Sequence, residues 1–339
     1  MCSSDLDRYG RRLPLMIDLV LFSVIEVLSG LSRNFTQFLV LRAIFGIAMG
    51  GEWGVGASLA MEKVPPKFRG ILSGLLQEGY AAGYLLAAVA YMLVFPHWGW
   101  RPLFFIGGLP ALLALFVRFG VTESEVWHHE KCANWSSLAR GILSHWPIFL
   151  YLVALMTMMN LSSHGTQDLY PTFLQRDRGL PVDKRSELTA ISMVGAIIGG
   201  VVFGHLSDRI GRRRAMVLAF IGAILMIPCW ALPTKLWMLM AGAFALQFMV
   251  QGAWGIIPAH ISELSPPGIR GFLPGFAYQI GNLIAAYIAI FQTRSATHFG
   301  YGKTLAVSAV IIFAIAAIVT SLGLERHGVA FGRADPTQE

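Results

Sequence analysis

Asn160, His164 and Asp168 recur every fourth residue within an otherwise apolar run, 146–170. On a helix that spacing puts all three on one face. Ser163, Thr166 and Gln167 lie beside them, and Pro171 comes next after Tyr170. An imidazole titrates near neutral pH, so His164 and a carboxyl one turn away can hold and release a proton between them. Asn160 and Gln167 can donate hydrogen bonds to an organic anion, with Ser163 and Thr166 secondary. Pro171 removes a backbone donor and is expected to kink the helix near its end. An ionisable pair inside an apolar span is costly unless it faces a cavity, so function is its default reading. The plain alternative for His164 is an interhelical hydrogen bond with no proton role.

The elements that carry these residues must be membrane helices. The chain has 339 residues; apolar types make up 55% and charged types 13%. A soluble domain would carry about twice that charged share. Ten runs approach the ~20 residues needed to cross a bilayer. They lie near 13–31, 38–61, 71–95, 102–120, 146–170, 187–206, 215–233, 236–261, 272–292 and 304–324. Between the fourth and fifth runs, 121–145 is polar and reads as a linker between two bundles, 1–120 and 146–339. The net charge of +7 does not indicate nucleic-acid binding, because Lys and Arg sit in short loops rather than on one face. Sixteen Lys and Arg residues fall on the side that holds segment 7–12, against nine on the other. That bias predicts a cytoplasmic 7–12 and a cytoplasmic C-terminus. Cys2, Cys132 and Cys229 form no disulfide framework or metal spacing. No nucleotide loop, catalytic triad spacing or metal cluster appears, which argues against an enzyme.

Other polar residues lie within the runs. Arg42 is a candidate partner for a substrate carboxylate through charge-assisted hydrogen bonds, or a snorkelling side chain. Glu78 is a possible second proton site. Some of Glu26, Glu52, Gln77, Tyr80, Tyr84, Gln247, Gln251, His260, Gln279 and Asn282 must line a cavity. The glycine rows Gly46, Gly50, Gly54 and Gly195, Gly199, Gly204 read as close-packing surfaces.

An internal repeat organises the whole. Asp7-Arg8-Tyr9-Gly10-Arg11-Arg12 matches Asp208-Arg209-Ile210-Gly211-Arg212-Arg213. Gly51, Trp53 and Gly54 match Gly252, Trp254 and Gly255; Glu62, Pro65, Pro66, Arg69 and Gly70 match Glu263, Pro266, Pro267, Arg270 and Gly271. Every pair is 201 positions apart. Two homologous halves related by an axis along the membrane normal would give this pattern. Two runs precede the second copy and none the first, so the reading is spans 3 to 12 of twelve. The segment Met1 to Leu6 has no clear counterpart in the rest of the chain, which leads to the expectation that the gene begins upstream.

The Asp-Arg-x-Gly-Arg-Arg loop resembles that of the major facilitator superfamily, and the two Glu-x6-Arg-Gly segments resemble its sugar-porter-like branches. That resemblance implies an all-α membrane protein with two pseudo-symmetric bundles, 10 of 12 transmembrane helices being present. Arg8, Arg209, Glu62, Glu263, Arg69 and Arg270 are read as gate and latch residues, the alternative being charges that only set topology. The segment Asn160 to Thr172 looks like the span-7 motif of the sialate:proton symporter family, which includes lactate and pyruvate permeases. The stretch Arg42 to Tyr84 is similar to its lactate-transporter-like members. The resemblance implies proton-coupled symport of a small monocarboxylate such as lactate or pyruvate, with the proton as coupling ion and no other cofactor. Sialic acid, another sugar acid or an aromatic acid are alternative cargoes, and a transport-dead sensor a further alternative. The expected setting is a monomer in the plasma (inner) membrane, in contact with lipid and with no nucleic-acid partner.

Overall fold

The computed structural model describes residues 12–112, 116, 141–266, 269–270, 272–326, 328 and 331. All its regular structure is helical. The helices are α1 (Arg12–Gly30), α2 (Phe35–Lys63), α3 (Arg69–Gln77), α4 (Gly79–Trp98), α5 (Arg101–Gly107), α6 (Trp146–Gln167) and α7 (Tyr170–Arg176). They continue with α8 (Val182–Ile210), α9 (Arg212–Ala231), α10 (Leu236–Leu264), α11 (Leu273–Ala285), α12 (Tyr287–Phe299) and α13 (Tyr301–Leu322). Among the described residues, seven stretches are long and apolar enough to cross a membrane. Three of these, Pro66–Trp98, Trp146–Arg176 and Leu273–Phe299, contain a joint, at Glu78, Asp168 and Ala286. The end of the run 102–120 (113–115 and 117–120) and most of the polar segment 121–145 lie outside the described residues.

Local chemistry accounts for the ends. The Asn34 side chain accepts from the Gln37 amide at 2.8 Å and caps α2. Pro65 and Pro66 stop α2 and start the turn that feeds α3. Gly211 separates α8 from α9 at φ 95°, a conformation that glycine adopts without steric cost. Pro171 cannot donate to the Gln167 carbonyl, and α6 ends at Gln167. The regular helix is interrupted at Asp168 and Leu169, where the proline was expected to act.

Buried Leu19, Phe22, Ile25 and Ala48 join α1 to α2, and α5 packs against α1. The larger core joins α6 to α11 and α13 around Leu155, Met156, Phe220, Trp230, Leu246 and Phe313. α3 packs on α8 and α10, and α2 on α11. Glycines make these approaches close. Gly195 and Gly199 lie on the backbone of Phe244 and Phe248 of α10, Gly204 lies on Gly70, and Gly54 lies on Gly275. Gly46 differs from the expectation for its row: no described atom lies within 4 Å of a Cβ placed there. Gly199→Val should cost about 1–3 kcal/mol, because its methyls have only the α10 backbone to displace. Thermal unfolding in detergent checks this, and an unchanged Tm would refute so close a contact.

Candidate functional site

Two clusters hold the candidate residues. The first lies at the joint between α6 and α7. His164 Nδ1 sits 3.2 Å from Asp168 Oδ2, and its Nε2 sits 3.2 Å from Asn282 Oδ1 on α11. The His164 and Asp168 side chains are 37% and 42% exposed. Asp168 also lies within electrostatic reach of Tyr80 and Tyr84 on α4, so the pair faces the amino-terminal helices. Beside it runs a chain of hydrogen bonds. The Tyr80 hydroxyl donates to Gln167 Oε1 at 3.2 Å, Gln167 Nε2 to Gln247 Oε1 at 2.9 Å, and Gln247 Nε2 to Thr166 Oγ1 at 3.2 Å. A small cavity between α4, α8 and α10 is lined by Tyr84, Gln167, Thr189, Ser192, Trp230 and Gln247.

Not every predicted ligand joins this group. Asn160 is buried, and its amide donates back to the Met156 carbonyl of its own helix at 2.9 Å. Ser163 is buried on the same helix. Arg42 is engaged within the amino-terminal helices. It pairs with Glu26 at 2.7 Å, donates to Ser29 Oγ at 2.5 Å, and lies 4.3 Å from the Phe45 ring and 5.1 Å from the Phe104 ring. Such a guanidinium already has a carboxylate and an aromatic face. Asn282, Gln247 and Tyr80 reach the site from three other helices.

Aromatic rings stand between the two clusters. Trp53 of α2 stacks on Tyr278 of α11 at 4.7 Å, and Trp254 meets the same Tyr278 edge-on at 6.1 Å. The Trp53 indole donates to Gln77 Oε1 at 3.2 Å, and that of Trp254 donates to the Met159 carbonyl at 3.1 Å.

The second cluster is ionic and dry. Glu263, with a side chain 0% exposed, accepts from Arg69 Nη1 at 3.2 Å, from Arg212 Nε at 3.0 Å and from Arg212 Nη2 at 3.1 Å. Arg212 also bonds Asp208 Oδ1 at 2.8 Å. The Asp208 carboxylate in turn accepts the Gly70 and Ile71 amides at 2.9 and 3.0 Å, capping the start of α3. The Ser73 hydroxyl donates to the Gly255 carbonyl at 2.7 Å and accepts from the Ala259 amide at 3.0 Å, beside Pro258 in α10. Phe331 lies 3.8 Å from the Arg69 guanidinium and 4.2 Å from that of Arg270. Glu62 is half-buried at the end of α2.

The motif needs one correction. Arg209, predicted as a latch, is exposed, whereas Arg212 makes the contacts. The turn at Gly211 returns the chain so that the side chain four residues after Asp208 points inward, and the one adjacent to Asp208 does not. Arg8 lies outside the described residues, as does the side chain of Glu52.

Comparison with known proteins accords with this architecture. The family model described as Major Facilitator Superfamily matches residues 6–189, and the one described as Sugar (and other) transporter matches residues 149–324. The chain belongs to the major facilitator superfamily. A putative metabolite transport protein of Haemophilus influenzae is 30% identical over 90% of this chain and 78% of its own. The carboxylic acid transporter protein homolog of Saccharomyces cerevisiae is 32% identical over 86% of this chain. The match spans about half (52%) of that yeast protein. The sialic acid transporter NanX of Escherichia coli is 28% identical over 91% of this chain and 77% of its own. In fold, this facilitator superimposes on the proton:xylose symporter XylE with TM-score 0.78 and 19% identity, covering 97% of this chain and 83% of that one. This is the fold of multi-pass membrane transporters, not of enzymes.

Glu263→Gln removes the charge between two buried arginines and should destabilise this closed arrangement by about 3–5 kcal/mol. Arg209→Ala should stay within about 0.5 kcal/mol of wild type, as exposed substitutions do. Paired thermal melts test both, and equal effects would refute the assignment of the latch to Arg212 rather than Arg209.

Proposed function

We propose that this chain is a proton-coupled symporter of a small monocarboxylate, working by alternating access in the plasma membrane with its C-terminus cytoplasmic. The observation that carries this reading is the His164–Asp168 pair with Asn282 behind it. Both imidazole nitrogens face acceptor oxygens, which suits the doubly protonated ring, with Asp168 as its counter-charge. A proton added to Asp168 leaves the imidazolium without that counter-charge. The site then attracts a carboxylate, which can replace Gln167 Oε1 as acceptor for the Tyr80 hydroxyl and Gln247 Oε1 as acceptor for Gln167 Nε2. Loss of the proton restores the neutral pair and weakens the anion's hold, so cargo and proton travel together.

The Arg69–Glu263–Arg212 cluster supports alternating access. It joins α3 to α9 and α10 in this conformation and must part in the other. With the latch on the cytoplasmic side, this conformation faces outward. The bilayer and the organic anion are the partners in this reading, and the transporter acts as a monomer.

A second cargo class has an observation in its favour. Trp53, Tyr278 and Trp254 form an aromatic cluster between the helical halves. Relatives include one named a cis,cis-muconate transport protein and one named niacin transporter NiaP. A planar unsaturated acid or a sugar acid would fit a ring-lined path.

Reconstitution of the full chain in proteoliposomes separates these readings. Labelled lactate, cis,cis-muconate and sialic acid are offered with and without an imposed pH gradient. Lactate uptake that collapses with an uncoupler is the expected result; uptake indifferent to the uncoupler would end the symport reading. Asp168→Asn should abolish the pH dependence of uptake, and wild-type pH dependence in that variant would remove Asp168 from the mechanism.

A further inference from the structure

The joint between α3 and α4 holds a buried acid with no counter-group. Glu78 is 4% exposed, and neither carboxyl oxygen has a hydrogen-bond partner among the described residues. Its carboxyl rests on Gly200 of α8, where an added methyl group would overlap it. On the latch side of Glu78 the backbones of Gly74 and Gly200 close together. On the other side Ala81 packs with Met193 and Ala196. Titratable groups on the elements that meet here lie to either side. Toward the latch are Arg69 of α3, His205, Asp208 and Arg209 of α8, and His260 and Glu263 of α10. Away from it are Tyr80, Tyr84 and His97 of α4 and Asp183, Lys184, Arg185 and Glu187 in the first turns of α8. None of them bonds to Glu78. The repeat sharpens the point: the position 201 residues on is Gln279, so one half carries an acid where the other carries an amide.

We propose that Glu78 is a proton-operated wedge: the α3–α4 joint docks on α8 only while the Glu78 carboxyl is protonated, and its deprotonation opens that seam. A neutral carboxyl can be buried against glycine backbone; an ionised one with no donor in a dry seam is strongly disfavoured. The closed state therefore holds one more proton than the open state. By linkage, closure is favoured as pH falls and is lost as pH rises. On opening, the proton leaves to the water that enters, and no other covalent bond changes. The wedge rests on the proposed symport only for the identity of the coupling ion. It assigns that ion a conformational step distinct from anion binding at His164 and Asp168.

Hydrogen exchange followed by mass spectrometry tests this on the whole chain in lipid nanodiscs without substrate. The readout is segment 69–77, whose Gly70 and Ile71 amides bond Asp208 only when the seam is closed. After correction for intrinsic exchange rates, wild-type protection should fall at least ~10-fold between about pH 6 and about pH 9. Glu78→Gln should stay protected throughout. Glu78→Asp, which still titrates, should keep a pH-dependent loss. The infrared carbonyl band of a neutral carboxylic acid should fade in wild type as protection falls, a readout that needs no variant. Wild-type protection indifferent to pH, or the same pH-dependent loss in Glu78→Gln, would overturn the proposal. Failure of acid uptake with this switch intact would count against the transport reading and leave the wedge standing.

Discussion

The conformation described here depends on one carboxylate. Glu263 lies in a dry interface and meets the guanidinium groups of Arg69 and Arg212, one from each half of the repeat. None of these charges could stay buried alone. Removing any partner leaves the others desolvated and uncompensated. The cluster is therefore cooperative, either assembled and dry or parted and hydrated. Asp208 extends it by fastening Arg212 to the first amides of α3. An element with two discrete arrangements is what alternating access requires.

The remaining contacts between the halves are graded away from this point. Next come glycine seams, where α3 meets α8 and α2 meets α11 at backbone distance. Then come the rings of Trp53, Tyr278 and Trp254, which hold the halves together by surface rather than charge. Beyond them lie His164 and Asp168, the most accessible of the paired ionisable groups between the halves. Closure is thus strongest at one end and loosest where a small anion would enter. The joints at Glu78 and Asp168 sit along this gradient, each where the regular helix of a long span is interrupted.

Much of this was legible in the residues. Apolar run lengths located the helices, and the constant spacing of the repeat picked out Glu62 with Glu263 and Arg69 with Arg270 as equivalent positions. The four-residue period paired His164 with Asp168 directly, since a helix brings such residues together whatever surrounds it. Partners from distant helices were not legible. Nothing local says that Asn282 backs His164, or that Glu26 and Ser29 engage Arg42, because those contacts depend on how helices dock. The choice of Arg212 over Arg209 depended on the direction of the chain after Gly211, which a motif does not record. Asn160, expected to donate to an organic anion, here donates to the Met156 carbonyl one turn back on its own helix, a local option that a motif does not reveal.

The ring of Phe331 covers two guanidinium groups at once, those of Arg69 and Arg270. These occupy equivalent positions in the two copies, so a single side chain beyond the last helix is shared by both halves of the molecule. One ring cannot accompany two bodies that move apart. If the halves part as proposed, the Phe331 ring can stay with only one of the two arginines and the other is exposed to water, which makes the two sides of the repeat unequal.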